Sequence, residues 1–122
     1  MNNQKFSMAK RLRSMGYAAK GIRQLVIREH NARIHLLSTL AVIIAGIQLH
    51  LSMLEWVGIV IAIGLVWMAE ILNTCIEQIM DYIRTEEDSK IALIKDMAAA
   101  AVLISSLTAI VIGLIILLPK IL

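Results

Sequence analysis

The chain has 122 residues, 59% of them hydrophobic but only 4% aromatic, with a formal net charge of +3 and a mean hydropathy of +0.79. Soluble domains hold about half apolar residues, so this aliphatic excess excludes an ordinary water-soluble core and points to membrane helices in a single domain over 1–122. The lone cysteine, Cys75, excludes an internal disulfide framework, and no Cys/His cluster has zinc-ligand spacing.

The first element is amphipathic. Met8, Leu12, Met15, Ala19, Ile22 and Val26 recur at helical spacing, with Lys10, Arg13, Tyr17, Lys20 and Arg28 on the other side. This predicts a helix over about 5–30. It either lies in the membrane interface or packs on the bundle through the same stripe. No compact apolar core precedes a small-residue cleavage site, so no cleavable signal peptide is expected. Gly16 and Gly21 have the spacing of a P-loop's two glycines. However, Ile22 and Arg23 stand where Lys and Ser/Thr belong, and the stretch is helical, so a P-loop is rejected.

Three spans follow, over about 34–54, 55–81 and 97–118. Residues 34–54 and 97–118 carry no Asp, Glu, Lys or Arg, and each run is long enough to cross a bilayer. Residues 56–69 are also uncharged but too few to span, so the second helix must continue past Glu70. Pro119 and Lys120 are expected to close the last helix. Strict period-2 alternation is absent, which argues against a barrel.

Charge sets the orientation. Eight of the twelve Lys and Arg lie in residues 1–33, and Arg84, Lys90 and Lys95 lie in the second connection. The positive-inside rule places the N-terminus and that connection in the cytoplasm and the C-terminus outside. His30, His35 and His50 are unclustered and read as interface histidines. Cys75 reads as a small packing residue.

The chemistry concentrates at residues 70–81. On a helical wheel Glu70, Asn73, Thr74, Glu77 and Asp81 share a stripe roughly 100° wide. Ionisable groups in a membrane segment are functional candidates, and oxygen clusters suit a hard cation such as Mg²⁺. Glu29, the only acid among the first 33 residues, is expected at the same depth as Glu77. It either pairs with a neighbouring Arg or completes a metal site with Glu77. Lys95 is placed to neutralise phosphate, and Asp96 to cap the third span. The residues alone leave two classes open: a membrane enzyme, and an ion-coupled transporter or channel subunit using the Glu70/Glu77 face.

At Glu70-x-x-Asn73-Thr74-x-Ile76-Glu77-x-x-x-Asp81, followed by Lys95-Asp96-Met97-Ala98-Ala99, the chain resembles the prokaryotic diacylglycerol kinase family, which includes undecaprenol kinases. Gly21-Ile22-Arg23 and Glu29-His30-Asn31-Ala32-Arg33 also look like family sequence. The resemblance implies an all-α integral membrane homotrimer with an N-terminal amphipathic interfacial helix, three transmembrane helices and sites shared between protomers, in a bacterial cytoplasmic membrane. It implies ATP- and Mg²⁺-dependent phosphorylation of a lipid hydroxyl, with ATP as co-substrate and no nucleic-acid partner. By position Glu70 matches the general base, and Glu29 and Glu77 match the metal-binding carboxylates. Asn73, Lys95 and Asp96 match nucleotide-contacting residues, as do Lys10, Tyr17 and Glu86. Arg23 and Trp56 fall where lipid-substrate contacts are expected, beside Glu70 itself. The chain departs from the family pattern at Glu87 and Asp88, where relatives often carry an aromatic and a His. Segments 31–35, 51–56 and 112–120 look more like the undecaprenol kinase branch.

Overall fold

Four α-helices make up the computed structural model, which describes residues 5–83, 86 and 88–122. They are α1 (Met8–Arg28), α2 (His30–Gln48), α3 (Met53–Ile83) and α4 (Ser89–Ile121). The last three are long and apolar enough to cross a membrane. Arg84, Thr85 and Glu87, which include one of the charges expected on the cytoplasmic side and one of the divergent loop positions, lie outside the described residues.

Ser7 starts α1 by accepting a hydrogen bond from Lys10 N at 3.4 Å. The helix ends without glycine or proline, because Glu29 turns extended at φ −102°, ψ 121°. Ending a helix frees its last carbonyls. Arg33 supplies donors for two of them: Nε bonds Val26 O at 3.0 Å and Nη2 bonds Ile27 O. One arginine in the first turn of α2 thereby fixes the joint between α1 and α2.

The α2 helix stops six residues before the uncharged run does. His50 N bonds Ile47 O, Leu51 N bonds Gly46 O, and His50 has φ 53°. This is a Schellman ending with histidine at the left-handed position where glycine is usual. Leu51, buried, folds back over Gly46. A capping box then opens α3: Glu55 N bonds Ser52 Oγ at 3.2 Å, and Ser52 N bonds Glu55 Oε2 at 2.8 Å.

At 1.5 Å per residue α3 is about 46 Å long, more than the ~30 Å hydrocarbon core. Glu70 lies about 26 Å from its start, near the far edge of that core. The α4 helix begins at Ser89, because Asp88 rather than Asp96 caps it, its Oδ1 accepting from Lys90 N at 2.8 Å. Asp96 therefore sits inside the helix, a correction to its expected role as a cap. Pro119 does not close α4 either. The helix runs to Ile121, with Leu122 N bonded to Leu118 O at 3.1 Å and Lys120 Nζ paired to Glu55 Oε2 at 3.2 Å.

The main packing is α3 against antiparallel α4. Ile59 and Ala62 of α3 and Ala98 of α4 are buried. Gly58 lets Ile116 come so near that an added Cβ would stand 2.8 Å from Ile116 Cδ1. Small residues permit such approaches between membrane helices. Two ion pairs, Glu55–Lys120 and Asp81–Lys95, tie the ends of α3 and α4. Leu37, Leu54, Leu103 and Ile115 stay exposed along the spans, as expected of surfaces that meet lipid or another chain.

Candidate active site

Glu70 is the most deeply buried charged side chain of the described residues, 1% exposed. Asn73 and Thr74, one turn further along α3, are buried with it. Asn73 Nδ2 donates to Glu77 Oε1 at 3.3 Å. A carboxylate only accepts, so this bond fixes which end of the amide faces Glu77. Three oxygens remain without a hydrogen-bond partner: Glu70 Oε2, Asn73 Oδ1 and Thr74 Oγ1. Each such buried atom costs about 1–3 kcal/mol, so three on one face call for a donor or cation from outside. His35 Nε2 lies 3.4 Å from Glu70 Oε2. That meets the distance of an ion pair but not the geometry of a formed hydrogen bond.

Beside this face a cleft of about 730 Å³ opens between α1 and α3. Its volume is in the range of small-ligand sites. Lys20, Arg28 and Glu29 line it from α1, and Thr74, Cys75 and Gln78 from α3. Glu77 lies two turns beyond Glu70 on α3, and Glu29 stands on the cleft wall across from Thr74. Among the described residues no three His, Cys, Asp or Glu side chains enclose a metal ion by themselves. Mg²⁺ asks for less: one or two carboxylates plus phosphate and water oxygens. Glu29, Glu77 and the unpartnered Asn73 Oδ1 fit that donor set.

The prokaryotic diacylglycerol kinase family pattern matches residues 16–117. The chain belongs to that family. It is 36% identical over 108 residues to an undecaprenol kinase of Bacillus subtilis, covering 88% of each chain. It is 35% identical over 110 residues to a diacylglycerol kinase of Synechocystis, covering 89% of this chain and 63% of that one. It is 30% identical over 111 residues to a diacylglycerol kinase of Escherichia coli, covering 91% of each. Membership places the chain among lipid kinases, and its three apolar helices make it a membrane protein.

Within this family member the residues expected at the site fall into two groups. Glu70, Asn73 and Glu77 share one face of α3, with Glu29 on the wall of the adjoining cleft. Lys95 stands close by, paired with Asp81 one helical turn beyond Glu77. The others are exposed or stand further off. Lys10 and Tyr17 are exposed on α1, about 28 and 18 Å along the helix axis from Glu29. Arg23, Glu86 and Asp96 are also exposed. Trp56 lies about 21 Å along α3 from Glu70, packed against Gly46 and half-buried at the opposite end.

Three features correct or extend the sequence reading. Cys75 is exposed on the cleft wall rather than packed in a core. His35 faces Glu70 rather than the interface. Lys20 and Arg28, counted only among the basic charges of α1, line the cleft. The contact of His35 crosses between helices, so no spacing within one helix signals it. Lys20 and Arg28 do sit at cleft-facing positions relative to Glu29, but on α1 they blend into an evenly basic face.

Proposed function

We propose that the protein transfers the terminal phosphate of ATP to the hydroxyl of undecaprenol or diacylglycerol at the cytoplasmic face of the membrane. The products are undecaprenyl phosphate or phosphatidic acid. The observation that carries this reading is the buried face of α3, where Glu70, Asn73 and Thr74 leave three oxygens unpartnered beside a cleft that Lys20 and Arg28 line from α1. Segment similarity to the undecaprenol branch and the 36% identity to the Bacillus subtilis undecaprenol kinase favour undecaprenol as the substrate.

Glu70 acts as the base. The lipid hydroxyl donates its proton to the Glu70 carboxylate as its oxygen bonds to the γ-phosphorus. The bond from that phosphorus to the bridging oxygen breaks, and ADP leaves. Phosphoryl transfer is mostly positioning and charge stabilisation, so little more is asked of a short chain. Glu29, Glu77 and Asn73 Oδ1 would hold Mg²⁺, which when bound neutralises charge on the phosphate oxygens. Lys20 and Arg28 on the cleft wall, with Lys95, offset the remaining phosphate charge. The lipid's tail stays in the bilayer, so only its head group needs a polar site. Trp56, at the far end of α3, is placed to meet the tail rather than the hydroxyl.

The homotrimer belongs to this proposal. Lys10, Tyr17, Glu86 and Asp96 are exposed in their own chain, which suits nucleotide contacts made across a protomer boundary. The apolar stripe of α1 also stays open: Met8, Leu12 and Met15 are exposed rather than packed on α2–α4. That supports an interfacial placement for α1.

Phosphate transfer from labelled ATP in mixed micelles tests the reading, with undecaprenol and diacylglycerol offered separately, with Mg²⁺ or with a chelator. The expected result is labelled lipid that needs Mg²⁺ and forms faster with undecaprenol. Unlabelled lipid from folded protein under all conditions would contradict it.

A further inference from the structure

The buried face of α3 meets α2 through two rungs. In the upper rung Trp67 Nε1 donates to Thr39 Oγ1 at 3.0 Å, and Thr39 Oγ1 donates to the backbone carbonyl of His35 at 2.7 Å. In the lower rung His35 Nε2 faces Glu70 Oε2 at 3.4 Å. His35 and Thr39 lie one turn apart on α2, as do Trp67 and Glu70 on α3. The two helices are thereby pinned in register where the carboxylate sits. Trp67 also walls the imidazole, edge to face, with centroids 6.4 Å apart and planes at 64°. The His35 ring is thus held on one side by Trp67 and presents Nε2 to Glu70. Its side chain is 17% exposed, toward an apolar groove of about 500 Å³ between α2, α3 and α4.

We propose that His35 is a positioning residue for the kinase reaction: its ring nitrogen orients the Glu70 carboxylate for proton acceptance, and the Trp67–Thr39 rung holds the imidazole in place. Glu70 needs such a partner. Its Oε2 is buried without a hydrogen-bond partner, and a buried carboxylate with no donor is free to turn toward whichever group attracts it. Hydrogen bonds at active sites are often long before substrate binds and tighten in the reactive complex, which accounts for the 3.4 Å separation. Misplacing a reacting group by about 1 Å lowers rates by about 10²-fold. The loss on removing His35 therefore belongs in kcat rather than in the affinity for either substrate.

This inference rests on the kinase reading, and its test separates the two. Full-length protein in mixed micelles is assayed for kcat and for both KM values, with ATP and whichever lipid the unaltered protein prefers. The variants are His35→Ala, His35→Phe, His35→Gln and Glu70→Gln. Ala and Phe remove the donor, Phe keeps a ring against Trp67, and Gln keeps an N–H of similar reach. The expected result is a drop in kcat of about tenfold to a hundredfold for Ala and Phe, with both KM values little changed and most of the loss restored in Gln. If the Ala variant does not fold, the Phe and Gln pair decides. Equal losses in Phe and Gln, or unaltered kcat in Ala, overturn the inference while the kinase reading stands. Unaltered protein that labels no lipid overturns the kinase reading and the inference with it.

Discussion

Asn73 sits between the two acids of α3, its amide N–H held by Glu77 and its own oxygen buried without a partner. Replacing the partner of a metal-binding group typically weakens metal affinity 10–100-fold. Asn73→Ala is therefore expected to raise the Mg²⁺ concentration for half-maximal activity by about that factor, read by titrating Mg²⁺ at saturating ATP. An unshifted midpoint would remove Asn73 from the proposed metal site. Glu70, Asn73 and Glu77 were legible in the sequence because one helix carries all three, and a 100° turn per residue aligns them. His35 was not, because its meeting with Glu70 depends on how α2 and α3 are set against each other.

At the scale of elements, two turns decide how the helices meet, and neither is marked by the residue a sequence reader looks for. The α1–α2 joint is closed by the Arg33 guanidinium, and the α2–α3 turn by a left-handed histidine. A non-glycine residue in that conformation costs about 1–2 kcal/mol. His50→Gly is accordingly expected to stabilise the protein by about 1 kcal/mol, measured by reversible denaturation in micelles. Gly46→Ala has the opposite sign. Its Cβ would stand 2.7 Å from Trp56 Cη2 and 2.9 Å from Leu51 Cδ1, and the rigid indole cannot easily yield. Overpacking of this kind costs about 1–3 kcal/mol. Gly58→Ala should cost less, because the obstructing atom is the flexible end of Ile116. Equal losses at the two glycines would contradict the packing described here. The helical spans themselves were legible from uncharged runs, but their ends were not. Caps and turns such as Asp88, Ser52–Glu55 and His50 set those ends, and the uncharged runs do not mark them: His50 and Ser52 fall within 34–54.

For the whole molecule, the distribution of charge makes a topological prediction. Eight of the twelve cationic side chains lie in residues 1–33, whereas Lys120 is the only one in the last 25 residues. With Cys75→Ala as background, a membrane-impermeant maleimide added to intact cells should label Leu122→Cys but label Lys5→Cys only after permeabilisation. The reverse pattern would place Glu70 at the outer surface, away from cytoplasmic ATP. Composition made the membrane class and the all-helical architecture legible. It could not show whether any face of the chain meets a second copy, because apolar surface facing lipid and apolar surface facing a neighbour have the same character.

The most direct measurement is the rate of lipid phosphorylation by Glu70→Gln beside the unaltered protein, with nucleotide binding followed in parallel. The amide keeps the shape of the carboxylate but cannot take the proton. Turnover should fall by about 10²- to 10⁴-fold while nucleotide binding and helical content are retained. A Gln variant that phosphorylates lipid at the unaltered rate would contradict the assignment of the buried face of α3 as the catalytic centre.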